Sequence, residues 1–133
     1  MNNSNKRILI VEDDPNFGKI LKEVFKADEK LKEDNIDIEI IDLRTIRPLD
    51  IDTIISSVKK TNRLVILEES WPFGNISTEI AYQVQNKAMD YLDAPIIKIN
   101  TADTPTPYSP VLLTEWLPNY NDLVKAVNKV LYK

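Results

Sequence analysis

Ile36-Asp37-Ile38-Glu39-Ile40-Ile41-Asp42-Leu43, then Asp50 to Lys60, then Arg63-Leu64-Val65-Ile66-Leu67 follow one another with short breaks, and their order decides the fold class. In the first, Ile36, Ile38 and Ile40 alternate with Asp37 and Glu39. That is the period of a strand with one wet face, so an edge or half-exposed place in a sheet is expected. In the second, Ile51, Ile54, Ile55 and Val58 fall at i, i+3, i+4 and i+7 and so share one side of a helix. Asp50 stands at its cap position, and Lys59 and Lys60 stand at its negative end. The third run is apolar without alternation, as in a strand buried on both faces. Strand, helix and buried strand in succession are the building unit of an open, mostly parallel sheet.

The same alternation extends in both directions. Ile8-Leu9-Ile10-Val11 is a continuous apolar run closed by Glu12-Asp13-Asp14, which predicts a first strand that must pair inside the sheet. Asp14 and Pro15 suit the cap and first position of a helix whose apolar face, Ile20, Leu21, Val24, Phe25 and Leu31, runs to about Glu33. A helix is expected from about Ile76 to Leu92, and Pro95 opens a fourth strand over Ile96 to Ile99. Thr101 to Pro110, with Pro105, Pro107 and Pro110, reads as a loop. Asn119 caps a last helix from Asp122 to about Leu131. The expected fold is one α/β domain over residues 1–133, a three-layer open, mostly parallel sheet with helices on both faces.

Composition narrows the function. The chain has 17 basic and 21 acidic residues, a formal charge of -4, and therefore no basic footprint for nucleic acid. It has neither cysteine nor histidine, which excludes disulfides, thiolate chemistry and imidazole catalysis. No apolar run approaches the roughly 20 residues of a membrane span, and Met1 to Arg7 is polar, so the chain reads as cytoplasmic with no membrane partner.

Ile41-Asp42-Leu43-Arg44-Thr45-Ile46-Arg47-Pro48-Leu49-Asp50 is more specific. Together with Ser57 to Val65, Glu68-Glu69-Ser70-Trp71-Pro72, Asp90-Tyr91-Leu92-Asp93-Ala94-Pro95, Ala102-Asp103-Thr104-Pro105-Thr106-Pro107-Tyr108 and Leu117-Pro118-Asn119, it resembles the C-terminal, transketolase-like domain of pyruvate dehydrogenase beta subunits. The likeness covers roughly residues 17–133. The opening, Lys6 to Gly18, is instead similar to the start of a response-regulator receiver domain, and a junction near Phe17-Gly18-Lys19-Ile20 would make the chain a chimera.

The resemblances imply two functions. A pyruvate dehydrogenase beta C-terminal domain is expected to be non-catalytic and to hold no cofactor itself. Thiamine diphosphate and magnesium belong to parts of the parent enzyme that these residues do not include. Its expected partners are the dehydrogenase alpha and beta subunits and the subunit-binding domain of the acyltransferase core, with Asp93 and Tyr132 as the contacting residues. The alternative is a signalling receiver, but a receiver needs an acceptor aspartate after its third strand. Here Leu64 to Leu67 ends in Glu68 and Glu69. Glu12, Asp13 and Asp14, with Glu68, form a candidate Mg²⁺ or Ca²⁺ site at the carboxyl ends of the strands. The plainer reading makes Asp14 a helix cap and the rest solvated loop acids. Trp71, Phe73, Tyr108, Trp116 and Tyr120 are aromatics in loop contexts, suited to an interface or to packing beneath the loops.

Overall fold

The computed structural model describes residues 6–12 and 36–132. Four parallel strands form one sheet in the order β2-β1-β3-β4, with β1 at Lys6–Glu12, β2 at Ile36–Asp42, β3 at Leu64–Leu67 and β4 at Ile97–Ile99. The first apolar run is interior, as expected: Ile8 pairs with Ile38 on one side and Ile10 with Val65 on the other. The alternating run lies at an edge, also as expected.

Helices α1 (Ile51–Thr61), α2 (Ile76–Ala88), α3 (Pro110–Trp116) and α4 (Tyr120–Val130) complete the described elements. β3 shows why there are three layers, because its side chains alternate between two cores. Leu64 and Ile66 join Val11, Ile54, Val58, Ile80 and Val84 under α1 and α2, while Val65 and Leu67 join Ile99, Leu123, Val127 and Val130 under α4. Each fully buried aliphatic side chain contributes about 1.5–3 kcal/mol. A short strand thus fastens both helical layers.

Local chemistry sets the helix ends. The Asp50 carboxylate accepts from Thr53 N–H at 3.1 Å and from its hydroxyl at 2.7 Å, starting α1. Asn62 closes α1 at φ 60, its N–H returning to the Val58 carbonyl. Asn119 and Asp122 form a reciprocal capping box on α4, which begins at Tyr120 rather than Asp122.

Other element boundaries also need correction. The helix predicted to Leu92 stops at Ala88, whose backbone leaves helical geometry at φ -146, and a 3₁₀ turn follows over Met89–Tyr91. Asn62 holds that turn by donating to the Tyr91 carbonyl at 2.7 Å and accepting from Asp93 N–H at 2.8 Å, bonds a continuing helix could not make. In addition, α3 begins at Pro110, inside what reads as the end of a loop. β4 begins at Ile97, one residue later than predicted. The helix expected over residues 14–33 and the proposed junction at residues 17–20 lie outside the described residues.

Candidate partner-binding site

Asp93 and Tyr132 meet at the amino ends of the strands. Tyr132 follows α4 at φ 56 and donates its hydroxyl to the Asp93 carbonyl at 3.1 Å. Arg63, at the entry to β3, joins the same corner. Its Nε–H bonds the Val130 carbonyl at 3.1 Å, and its guanidinium lies 3.4 Å from the Asp93 carboxylate. The guanidinium is thus set against the negative end of α4, where a cation is stabilising. Arg63 is largely covered, with 20% of its side chain exposed against 56% for Asp93. The carboxylate therefore remains presented to solvent. Tyr91 and Tyr132 stand exposed at the same corner, and the Lys59 ammonium lies 5.2 Å from the centre of the Tyr91 ring. The corner offers the Asp93 carboxylate beside exposed tyrosine rings, a combination suited to a cationic protein surface.

The carboxyl ends of the strands are closed differently. Glu68 follows β3 and is buried, and its two oxygens accept from Ile76 N–H at 3.3 Å and Ser77 N–H at 3.0 Å. It satisfies the first turn of α2. Lys98 crosses from β4 to donate to the Pro72 carbonyl at 2.9 Å and to the Thr78 hydroxyl at 2.7 Å. Trp71 and Trp116 both donate their indole N–H to the Thr104 carbonyl, each at 3.0 Å. Asn75 bonds the Trp71 carbonyl. This network leaves Phe73 and Tyr108 almost wholly exposed, with Ile46, Val111 and Leu112 also outside. Arg44 pairs with Asp42 at 3.0 Å, while the Asp50 carboxylate is taken up in capping α1.

Comparison with known proteins follows from this geometry. The family model "Transketolase, C-terminal domain" matches residues 2–123. The chain belongs to that family. The match begins at residue 2 and so takes in the receiver-like opening. Relatives named pyruvate dehydrogenase E1 component subunit beta include one from Rickettsia felis, 52% identical over 116 residues, covering 87% of this chain and 36% of that protein. One from Rhizobium meliloti is 50% identical over 117 residues, covering 88% and 25%. One from Bacillus subtilis is 37% identical over 115 residues, covering 86% and 35%. The chain spans about a quarter to a third of the length of these curated relatives. A solved structure described as "Split gene transketolase, inactive beta4 tetramer" superposes with a TM-score of 0.71 at 22% identity, over 97% of this chain and 39% of that one. It establishes the shared fold.

The N-terminus of α2, where an anionic phosphate would be drawn, is occupied by the Glu68 carboxylate. Among the described residues there is no group of three or more acids placed to hold a metal. In the acidic candidate site, Glu12 closes β1 opposite Asp42 and Leu67, and Asp13 and Asp14 lie outside the described residues. No helix among the described residues is long and apolar enough to cross a membrane.

Sequence reasoning brought forward Asp93 and Tyr132 but missed Arg63, which ties them to α4. Its partner carbonyl is 67 residues away, and no local pattern marks such a bond. It also missed the capping role of Glu68. The signal was Asn75, a cap residue opening an apolar-periodic stretch a few residues downstream.

Proposed function

We propose that this domain is the C-terminal part of a pyruvate dehydrogenase beta subunit and acts without turnover of its own, through two surfaces. The aromatic carboxyl edge packs against dehydrogenase alpha and beta subunits, and the Asp93–Tyr132 corner docks the basic subunit-binding domain of the acyltransferase core. The observation that supports this most is the meeting of Asp93 and Tyr132, far apart in sequence, with a buttressing arginine that leaves the carboxylate outward. Thiamine diphosphate and magnesium would be supplied elsewhere in the assembled enzyme.

Calorimetry between the full chain and an acyltransferase subunit-binding domain tests the docking surface. Binding that weakens at least about tenfold on Asp93→Lys, and less on Tyr132→Phe, is expected, since a reversed charge opposes a cationic partner while the ring is retained. Equal affinity of the wild type and Asp93→Lys would remove the corner from the interface. Incubation with acetyl phosphate and Mg²⁺ separates the receiver alternative. A stable acyl phosphate on the chain would overturn the assembly reading.

A further inference from the structure

β4 is an edge strand among the described residues, and its outer side is unlike that of β2. The Ile99 carbonyl accepts from Glu68 N–H at 3.0 Å, so Ile97 and Ile99 direct their backbone groups to β3. Alternation along the strand turns the N–H and C=O of Lys98 outward, with those of Ile96 and Asn100 on the same side. The open stretch is bounded at both ends. Pro95 has no N–H to offer, and the Ala102 N–H is taken by the Trp116 carbonyl at 3.0 Å. Between them lies room for a short added strand, about 16 Å at the ordinary rise per residue.

A groove flanks β4 on its α4 face, and a second opens on the α2 side at the amino end of the strand. On the α4 face a groove of about 290 Å³ has Ile97 and Ile99 beneath Asn100, Asp122, Lys125 and Lys129. Asn100 also lines this groove, and its amide nitrogen is buried without a hydrogen-bond partner. Asp122 is the acid in that groove, and it is already engaged by its own cap N–H at 3.2 Å and by Lys125 at 3.6 Å. On the α2 face a larger groove of about 460 Å³ is lined by Ala81, Gln85, Met89, Leu92, Pro95 and Ile96, chiefly apolar.

We propose that the outer edge of β4 receives an extended peptide segment by strand addition, with acidic side chains on the α4 face and apolar side chains on the α2 face. In such an added strand, backbone bonds to Lys98 supply affinity and successive side chains fall alternately into the two grooves. Lys125 and Lys129, one helical turn apart, meet the carboxylates. At the amino end of the strand Met89 and Ile96 gain apolar cover. This surface is separate from the Asp93–Tyr132 corner, and its partner is acidic where the partner of that corner is basic.

Titration of the ¹⁵N-labelled full chain with a blocked hexapeptide alternating valine and glutamate tests the proposal by amide shifts. Saturable shifts centred on Lys98, Asn100 and Lys129 are expected. Binding should weaken at least about tenfold for a valine–lysine peptide, for a peptide with alternate amides N-methylated, and for the Lys125→Glu/Lys129→Glu variant. Both lysines are exposed helix-surface positions, and an unchanged far-ultraviolet spectrum verifies that the variant is folded. No saturation, equal binding of the valine–lysine peptide, or shifts confined to the Asp93–Tyr132 corner would each overturn it. So would concentration-dependent self-association through Lys98 without peptide, which would make a second copy the occupant.

Discussion

At the amino end of β3, Arg63 reaches out to the last turn of α4 and to Asp93, whereas at its carboxyl end Glu68 turns inward onto the first turn of α2. Both charges answer unpaired backbone groups at a helix terminus, and each has the sign that the local dipole favours. They differ in what else is left to do. Glu68 is 6% exposed and both its oxygens are engaged, while Arg63 holds a carboxylate that is itself more than half exposed. Charge at a helix end can therefore either seal a surface or present it. The carboxyl edge, sealed by its acid, shows aromatic rings; the amino edge adds an exposed carboxylate to its tyrosines.

The largest effect should come from unsealing the carboxyl edge. Glu68→Ala leaves two α2 N–H groups buried without acceptors and should cost about 2–4 kcal/mol. Glu68→Gln, which retains one acceptor oxygen, should cost less; urea denaturation of both variants checks the order. Arg63→Ala comes next, at about 1–3 kcal/mol, because a partly buried hydrogen bond to a charged group is lost. Unlike Glu68→Ala it should also alter docking at Asp93, so equal effects of the two variants on affinity would erase the contrast between the edges. Lys98→Met should cost about 1 kcal/mol and speed amide exchange in residues 70–75, leaving residues 91–93 unchanged.

The smallest effect is a pH dependence at Glu39. Burial pushes its carboxyl up, but hydrogen bonds from Lys60 and Ser57 and the charges of Lys60 and Arg7 outweigh burial and hold it below the ordinary carboxylate range. A carboxyl depressed in the folded state stabilises the fold above its unfolded value, roughly pH 4.3, and that contribution disappears as pH falls through the lower folded value. Glu39→Gln should therefore flatten the acid limb of the stability curve below about pH 5, measured by urea midpoints. A steeper acid limb in the variant would reverse the sign assigned to Glu39.

Periodic features were legible in the residues. The unbroken β3 run and the spacing of Ile51, Ile54, Ile55 and Val58 each report a burial that repeats along one element, and the β2 alternation picks out Ile36, Ile38 and Ile40, which pack against one core. Asp50 and Asn119 were legible as caps because a cap acts within a few residues. α3 was hidden by its prolines, although Ser109 followed by Pro110 is a helix opening as much as a loop ending. The ties that make the candidate site, from Arg63 to Val130 and from Tyr132 to Asp93, cross the whole fold and depend on how α4 lies on the sheet. Their residues were visible; their meeting was not.

The two indoles that share the Thr104 carbonyl belong to the only tryptophans in the chain. Fluorescence excited selectively at tryptophan is therefore a local instrument, fixed at the carboxyl edge and blind to the tyrosines of the corner around Asp93. Release of the segment carrying Thr104 would change the emission of Trp71 and Trp116 together while circular dichroism stayed constant, whereas global unfolding would move both signals at one denaturant concentration. Coincidence of the two transitions thus becomes a direct measure of whether that edge is part of the cooperative unit.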